Sequence, residues 1–350
     1  MLVGIIPLLA VVTLAHALEP VALSGKAMGT TWSVKWIQPA APLAPALLER
    51  RVAERIEQLE QQFSTYRPES VLARFNASGG TDWIPVPPEL AQVTRQARDL
   101  SVLTGGAYDA TVHPLVQLWG FGTQRRDGVL PEVAEIAQAW ALVDWRQLEV
   151  RTAPPALRKT RAGITADFSS MAKGFTADAV SELLGVLGAP NHLVLIGGDV
   201  RSGGAGGEGT GWRVAIEQPV ETAVQVAAVV GLNGEALSTS GDYRNFFQAG
   251  GRRYGHIIDP RTGRPVSGEL AAVSVIAASG ARSSALATAL FVLGAEEGLR
   301  LATAEGWAVL FQLRSEAKIT RRATPEFEQR LRDLEIRVSG PKSPTAEKGR

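Results

Sequence analysis

The residue best suited to proton transfer in this sequence is His256, which lies within the polar stretch Ala236–Val266. Shortly after it comes Asp259–Gly263, a pentapeptide in which proline fixes φ, aspartate caps the backbone and glycine accepts a positive φ. This turn predicts a hairpin that holds the imidazole at its mouth, and an imidazole titrates near neutral pH. Similar turns also occur by chance where no active site exists, so the turn alone leaves the role of His256 open.

A second group of ionisable residues surrounds the predicted start of a helix. Asp167 lies near the end of a predicted short strand, Ile164–Phe168, and Lys173 lies in the first turn of a predicted helix, Met171–Leu187. The free N–H groups and the positive dipole end of a helix start favour a bound anion. A lysine is unfavourable there without one, so the segment predicts an anion or metal site. The alternative is a plain surface lysine.

Three further segments have the composition of ligand-binding loops. Gly29 follows Met28 and would let the backbone approach a ligand closely. Tyr66 follows a predicted helix, Pro45–Phe63, where its ring is either a stacking platform for a flat ligand or a half-buried packing residue. The stretch Gly105–Gly122 mixes glycine, acidic, hydroxyl and aromatic residues too irregularly for one regular element, which indicates a binding loop.

The elements that must position these residues follow from hydrophobic periodicity and turn residues. Helices are predicted at Pro45–Phe63, Pro88–Leu103, Glu132–Leu142, Met171–Leu187, Ser283–Leu293, Ala295–Ala304 and Pro325–Val338. Strands are predicted at Trp32–Ile37, Leu148–Arg151, Ile164–Phe168, His192–Ile196, Trp212–Ile216, Val224–Leu232, Ala236–Ser240, Arg253–Ile258, Ala271–Ala278 and Trp307–Leu313. Because the later strands arrive mostly as hairpins, we predict an α+β fold with a mixed, largely antiparallel sheet core and packed helices.

The composition limits which partners and which reactive groups this protein can use. The chain of 350 residues carries 36 basic and 35 acidic residues. It has no basic stripe with interleaved aromatic residues, so the sequence does not indicate nucleic acid as a partner. It contains no cysteine, which excludes disulfides, thiolate nucleophiles and thiolate metal ligands. Any metal must therefore be held by oxygen atoms or by imidazole.

The two ends of the chain have the composition of non-globular segments. An apolar run followed by Ala15-His16-Ala17 predicts a secretory signal peptide over residues 1–17, although no Lys or Arg precedes the run. We therefore expect export to the periplasm, and the lack of cysteine after the run excludes a lipid anchor on that residue. The polar residues 339–350 predict a disordered tail.

Several segments taken together, in one order along the chain, resemble a known family. They are MGTTW, FSTYRPES, GAYDATVHPLVQLWGFG, DFSSMAKGFTAD, LIGGD, STSGDYRNFF, HIIDPRTGRPV and SSALATALFVLG. Over about Ala27–Gly306 the sequence is similar to the FAD:protein FMN transferases of the ApbE type. The resemblance implies a flavin transferase domain over residues 18–338, with a fold related to the T-fold.

The resemblance also implies two sets of binding residues. The implied contacts to FAD, the substrate, come from Met28, Tyr66, Ala107, Tyr108, Asp109, Asp167, Lys173 and His256. The implied Mg²⁺ ligands are Ser170, Ala287, Thr288 and the position of Ser284. At that last position the family usually has aspartate, so this sequence departs from the pattern. A neutral hydroxyl in place of a carboxylate is expected to weaken a Mg²⁺ site, unless Asp167, Asp178 or water compensates.

The implied reaction transfers FMN from FAD to a Thr or Ser hydroxyl of an acceptor flavoprotein and releases AMP. Like other phosphoryl transfers, it depends on positioning and on neutralised charge. His256 either helps to deprotonate the acceptor or orients FAD. Two alternatives remain open: a Mg²⁺-dependent FAD pyrophosphatase that uses water as acceptor, and a flavin-binding homologue that has lost catalysis because of Ser284.

Overall fold

The structure is a computed structural model that describes residues 20–123, 126, 128–206, 211–220, 225–315 and 318–339. Its strands are β1 (Val21–Ala27), β2 (Thr30–Trp36), β3 (Ile84–Pro85), β4 (Leu148–Thr152), β5 (Pro155–Lys159), β6 (His192–Ile196), β7 (Asp199–Gly203), β8 (Trp212–Glu217), β9 (Val226–Leu232), β10 (Ala236–Gly241), β11 (Phe246–Ala249), β12 (Arg252–Gly255), β13 (Ile258–Asp259), β14 (Arg264–Pro265), β15 (Leu270–Ala277), β16 (Ala308–Ser315) and β17 (Lys318–Ala323). Its helices are α1 (Pro45–Phe63), α2 (Val71–Ala77), α3 (Pro88–Leu103), α4 (His113–Leu118), α5 (Val133–Trp140), α6 (Ser169–Val186), α7 (Gly280–Ala304) and α8 (Pro325–Ser339).

One large sheet organises these elements. Its strand order is β1-β2-β6-β7-β10-β15-β16-β17, and each of these neighbouring pairs is antiparallel. Smaller hairpins, β8–β9, β11–β12 and β13–β14, lie outside it. The prediction of an α+β fold with a largely antiparallel sheet and packed helices is confirmed.

Helices and a hairpin cover both faces of the sheet. On one face α3, α6 and α7 form the main core, which includes Leu90, Met171 and Leu290 against Val273 of β15. On the other face α8 and the β8–β9 hairpin bury a second core. With both faces covered, β15 is buried along nearly its whole length, as its apolar run indicates.

Helix α1 has the bounds that its sequence predicts. Pro45 occupies the first turn, where its missing N–H costs nothing, and the apolar stripe of the helix is buried. The predicted pair of helices at 283–293 and 295–304 is confirmed, because the non-helical Gly294 (φ 82°) divides α7 into two helices at that point. The first begins earlier, at Gly280, because the Ser279 side chain accepts a hydrogen bond from Arg282 N–H.

Two local predictions are wrong. The predicted strand Ile164–Phe168 joins no sheet, and its Asp167 N–H donates instead to Ala110 O at 2.7 Å. The predicted strand Arg253–Ile258 divides between β12 and β13. The stretch Gly105–Gly122 forms no single regular element, as predicted, and contains the short helix α4.

Predictions for the chain ends concern residues that lie mostly outside the described part. The predicted signal peptide, residues 1–17, and residues 340–350 of the predicted tail are both outside it. Ser339, at the start of that tail, is instead the last residue of α8. Among the described residues, no helix combines the length and the apolar character that crossing a membrane requires.

Candidate active site

Strand β10 and helix α7 meet through paired hydroxyl groups. Ser238 Oγ lies 2.7 Å from Ser283 Oγ, and Ser240 Oγ lies 3.0 Å from Thr288 Oγ1. Successive strand residues point to opposite faces, so Ser238 and Ser240 share the face that packs on α7. The run of small hydroxyl residues in β10 therefore creates a polar seam between the sheet and the helix.

A carboxylate lies at this seam. Asp199, the first residue of β7, accepts a hydrogen bond at 3.1 Å from the hydroxyl of Ser284 on α7. Both residues are buried, at 4% and 6% exposure. Burial raises the pKa of Asp199 above its ordinary value, while the positive charge of Lys173 and hydrogen bonds from Ser238 and Ser284 act in the opposite direction.

The start of α6 carries a second carboxylate, Asp167. Its Oδ1 accepts a hydrogen bond from Ser169 N–H at 2.7 Å, and its Oδ2 lies 3.5 Å from His113 Nδ1. Burial alone would raise the pKa of Asp167, but the proximity of His113 and the donors of Ser169 outweigh it, so the pKa lies below its ordinary value. Asp167 is therefore an anion anchored within the protein.

Ser170, one residue into α6, connects that helix to the loop before α4. Its hydroxyl donates to the phenol oxygen of Tyr108 at 3.0 Å. Tyr108 is almost fully buried, and burial raises the pKa of its phenol well above the ordinary value. The structure thus brings together two residues that the sequence assigns to different ligands, Ser170 to metal and Tyr108 to FAD.

Lys173 links the seam to the predicted general base. Its Nζ donates to Ser169 O at 3.1 Å. Its positive charge acts on Asp199 and also lowers the pKa of His256. The predicted cation in the first turns of α6 is therefore close enough to influence both of these groups.

His256 follows β12 directly. Its Nδ1 lies 3.2 Å from Asn245 O, so with Nδ1 protonated it donates to that carbonyl and leaves Nε2 as a free base. Burial holds the pKa of His256 below the ordinary imidazole value, and Lys173 adds to this effect. At neutral pH the side chain is therefore able to accept a proton.

The turn predicted beside His256 is present. The N–H groups of Thr262 and Gly263 donate to Asp259 O, and Gly263 has a positive φ of 71°. Two tryptophan side chains fix this turn from outside: Trp119 Nε1 donates to Gly263 O at 2.9 Å, and Trp140 Nε1 donates to Pro260 O at 2.7 Å.

Tyr66 connects to His256 through Phe121. The Tyr66 hydroxyl donates to Phe121 O at 3.3 Å, and the Phe121 ring centroid lies 6.3 Å from that of His256 in an edge-on arrangement. Tyr66 is 60% exposed, which favours the platform interpretation over the half-buried packing residue. Phe121 also stacks on Phe247, so the imidazole borders an aromatic cluster.

Met28 lies in an open cavity beside α1. The cavity is lined by residues of the β1–β2 turn and of α1, together with Arg67. Met28 is the described non-glycine residue with a positive φ, 52°, and its N–H donates to the Glu60 carboxylate at 3.1 Å. The unusual backbone conformation turns this loop toward the cavity and is compatible with the predicted binding role.

The segment Ala107–Asp109 has a stabilising role that the sequence did not reveal. The Asp109 carboxylate accepts hydrogen bonds from Thr111 N–H and hydroxyl and from Trp145 N–H. Burial raises the pKa of Asp109 to about 6 despite these bonds. Ala107 is 1% exposed, so its side chain belongs to the core. Asp109 thus orders the loop that presents Tyr108.

Sequence reasoning assigned no role to Asp199 or His113, which the structure places against predicted site residues. Asp199 and His113 lie in LIGGD and GAYDATVHPLVQLWGFG, two of the segments on which the family resemblance rests, but neither residue had an individual signal for a role. Asp178, which the sequence offered as a compensating carboxylate for the metal site, has a structural role. It accepts hydrogen bonds from Gly280 N–H (2.7 Å) and Ala281 N–H (3.0 Å) and therefore caps α7.

The donor set is compatible with a hard cation. Among the described residues, no three His, Asp or Glu side chains cluster as a metal site. The predicted ligands offer only oxygen: hydroxyls of Ser170, Ser284 and Thr288, and the backbone carbonyl of Ala287, whose side chain is buried in the core. Mg²⁺ prefers oxygen ligands. One of these predicted ligands, the Ser284 hydroxyl, donates a hydrogen bond to the Asp199 carboxylate.

Comparison with known proteins gives one consistent result. The model of the ApbE family matches residues 28–311. The FAD:protein FMN transferase of Haemophilus influenzae is 37% identical over 314 residues, which cover 88% of this chain and 91% of the relative. That of Escherichia coli is 35% identical over 318 residues, with 90% of each chain covered.

Solved structures agree with this result. The flavin transferase ApbE from Vibrio cholerae superposes with a TM-score of 0.83 at 36% identity, covering 89% of this chain and 99% of that one. The apo form of the Pseudomonas stutzeri flavinyl transferase ApbE gives 0.81 at 37% identity, covering 89% and 97%. The resemblance predicted from the sequence is thereby confirmed: this chain belongs to the ApbE family.

Proposed function

We propose that this protein is an FAD:protein FMN transferase. The observation that supports the proposal is the polar seam between β10 and α7, where the Ser284 hydroxyl donates to the buried Asp199 carboxylate at 3.1 Å and Ser240 Oγ lies 3.0 Å from Thr288 Oγ1. A row of oxygen donors, together with a lysine and an imidazole, suits the transfer of a phosphoryl-linked group. The relatives named above carry this activity in their names.

In the proposed reaction, a hydroxyl oxygen of the acceptor protein attacks the FMN phosphorus of FAD. A new P–O bond forms, the P–O bond of the pyrophosphate linkage breaks, and AMP leaves. His256 Nε2 accepts the proton of the attacking hydroxyl, because Nδ1 is held by Asn245 O. Lys173 offsets the negative charge of the phosphates. The acceptor residue is Thr or Ser, whose hydroxyl supplies this oxygen.

FAD contacts are proposed for two sides of the site. The exposed ring of Tyr66 offers a flat surface for a ring of FAD, and Met28 lines the neighbouring cavity. Tyr108 and Asp167 lie on the side nearer the start of α6. The buried Ala107 and the internally bonded Asp109 would act by shaping this wall rather than by direct side-chain contact.

Mg²⁺ is the proposed cofactor. Ser170, Ser284, Thr288 and the carbonyl of Ala287 would hold it, and a hard cation at this position would neutralise phosphate charge during transfer. The protein's own part is to fix these donors: Ser240 lies 3.0 Å from the Thr288 hydroxyl, and Ser170 is fixed by Tyr108.

We further propose that the protein acts in the periplasm on an exported flavoprotein. The apolar N-terminal run and the sequence Ala15-His16-Ala17 support export. Expression with an epitope at the C-terminus, followed by cell fractionation and N-terminal sequencing, tests this directly. Recovery of uncleaved protein from the cytoplasm would contradict it.

The activity is tested by incubating the purified protein with FAD, Mg²⁺ and an acceptor flavoprotein domain, followed by intact-mass spectrometry. We expect the acceptor to gain the mass of one FMN. An acceptor variant with the target Thr changed to Val serves as the control and should gain nothing. AMP without acceptor labelling would instead indicate a pyrophosphatase, and intact FAD without AMP would indicate a flavin-binding protein.

A further inference from the structure

We propose that Asp199 supplies the negative charge of the cation site by acting through Ser284, so that the hydroxyl and the carboxylate together replace a single carboxylate ligand. This inference deepens the proposed function, because it concerns the cation of the same site. Ser284 is then the residue that contacts the cation, and Asp199 is the residue that positions and polarises it.

The other nearby carboxylates already have internal partners. Both Asp178 oxygens accept backbone N–H groups at the start of α7, and the side chain pairs with Arg201 at 3.3 Å. Asp167 is held by Ser169 and His113. Asp199 is the carboxylate that directly contacts Ser284, across 85 positions of sequence. The charge nearest to the departure from the family pattern is therefore that of Asp199.

The geometry of the pair explains how the charge is passed on. Ser284 Oγ donates its hydrogen to Asp199 Oδ2 at 3.1 Å, which leaves the oxygen lone pairs free to bind a cation. A hydroxyl that donates to a carboxylate carries more negative charge on its oxygen than one that donates to water. Groups behind a metal ligand orient and tune it in this way in many metal sites.

Asp199 itself is well fixed. It begins β7, where it pairs with Ile196 of β6, and only 4% of its surface is exposed. The carboxylate is therefore held within the core and directly against the Ser284 hydroxyl.

The backbones of α6 and α7 bring the remaining donors close to this pair. A Cβ built on Gly174 would lie 2.0 Å from Gly280 O, so the two helices touch at these glycines. Ser170 lies one turn before Gly174, and Ser284 lies one turn after Gly280. Ser170 and Ser284 therefore each lie one helical turn from the same contact between the two helices.

The test is a titration of Mn²⁺ alone into purified wild-type protein and variants, with free Mn²⁺ measured by electron paramagnetic resonance. Wild type is expected to bind Mn²⁺. Asp199→Asn should raise the Kd by about 10- to 100-fold, the usual effect of losing a residue behind a metal ligand. Ser284→Ala should cause a loss of similar size, and the double variant should lose little more than either single change.

Asp178→Asn is the matched control, since it also neutralises a carboxylate that is largely covered and lies beside α7, with 15% of its side chain exposed. It should lower the melting temperature by removing the helix cap while leaving the Kd for Mn²⁺ unchanged. The variant D199N/S284D moves the carboxylate to the family's usual position and should recover most of the affinity. Folding of each variant is verified by circular dichroism before titration.

An unchanged Kd in Asp199→Asn would overturn the inference. If that variant does not fold, wild-type affinity in Ser284→Ala would do the same. Failure of the proposed function is seen separately: a wild-type protein that binds Mn²⁺ in this pattern but adds no FMN to an acceptor would contradict the transferase proposal alone. A wild type that adds FMN but shows no effect of Asp199→Asn would contradict this inference alone.

Discussion

At the scale of single residues, His256 has the properties of a general base. The bond from Nδ1 to Asn245 O leaves Nε2 free, and burial keeps the ring neutral. A base must be unprotonated, so its contribution is lost as pH falls through its pKa. Because that pKa lies below the ordinary value of about 6.5, the rate of FMN transfer should stay level from neutral pH down to about 6.5 and fall only below it.

The substitution His256→Gln separates the two possible roles. Loss of a general base should lower kcat by about 10²- to 10⁴-fold, leave the KM for FAD nearly unchanged and remove the acid limb of the pH profile. Initial rates of FMN transfer at varied FAD and pH provide all three readouts. A large rise in KM with little change in kcat would show that His256 orients FAD instead.

Tyr66 gives a second prediction at this scale. Because the side chain is 60% exposed, Tyr66→Ala should leave the unfolding temperature nearly unchanged but remove a stacking surface. An aromatic stack of about 0.5–1.5 kcal/mol corresponds to a roughly 2- to 10-fold rise in the Kd for FAD. Isothermal titration with FAD measures this.

The matched variant Tyr66→Phe keeps the ring and loses the hydroxyl contact to Phe121 O. It should bind FAD nearly as wild type does. Equal affinity in Tyr66→Ala and wild type would exclude a stacking role.

The sequence predicted individual site residues better than the contacts between them. His256 and Lys173 could be recognised because a turn and a helix start define their surroundings locally. The contact between Ser284 and Asp199 could not, because it joins α7 to β7 through space. Likewise, nothing in the sequence around Asp109 indicated that its carboxylate would accept a hydrogen bond from the Trp145 N–H, 36 positions later in the chain.

At the scale of elements, the crossing of α6 and α7 depends on two glycines. A Cβ on Gly174 would lie 2.0 Å from Gly280 O, a backbone atom that cannot move aside easily. We expect Gly174→Ala to destabilise the protein by about 3 kcal/mol, at the upper end of overpacking effects. Chemical denaturation in urea measures this change.

Gly185→Ala is the control in the same helix. Nothing lies within 4 Å of a Cβ at that position, so alanine should stabilise the protein by about 0.5–1 kcal/mol through helix propensity. If both substitutions had the same effect, close packing at Gly174 would not be what determines the crossing.

Elements with complete local signals were predicted with accurate bounds. Helices α1 and α3 each combine an apolar stripe with proline in the first turn, and both have the predicted bounds. The segment Ile164–Phe168 was misassigned because its apolar alternation resembles a strand while its backbone joins no sheet. Short strands such as β13 have too few residues for any periodicity to show.

At the scale of the whole molecule, a buried histidine links stability to pH. His192 Nδ1 lies 2.6 Å from Ala189 O, and its Nε2 lies 2.7 Å from Ser181 Oγ. Burial lowers the pKa of His192, and the charge of Arg201 acts in the same direction. The folded state therefore binds a proton less readily than the unfolded state.

It follows that His192 contributes stability above the unfolded pKa of about 6.5, and that this contribution declines as pH falls from there toward the lower folded pKa. The decline should be at most about 1.4 kcal/mol per pH unit. Urea unfolding of wild type, His192→Gln and Ser181→Ala from pH 8 to 5 measures it. Wild type and Ser181→Ala should show the same decline of stability with falling pH, whereas His192→Gln should not show it. Equal pH dependence of stability in all three proteins would contradict the assignment of this decline to His192.

The fold as a whole places its chemistry where one sheet face meets two helices. Strand β10 contributes hydroxyls, α6 contributes Lys173, α7 contributes Ser284 and Thr288, and β7 contributes Asp199. These groups come from well-separated parts of the sequence, so the site exists only when the sheet is assembled. Its proposed use is to break one pyrophosphate linkage and to pass the flavin half to a protein.

The most direct measurement is the ratio of FMN-modified acceptor to AMP formed in one reaction with FAD and Mg²⁺. Quantitative mass spectrometry of the acceptor and chromatography of the nucleotides give both amounts. Transfer to a protein hydroxyl predicts a ratio close to one that persists until the acceptor is exhausted, with AMP formation stopping at that point. AMP that accumulates without modified acceptor would contradict the account.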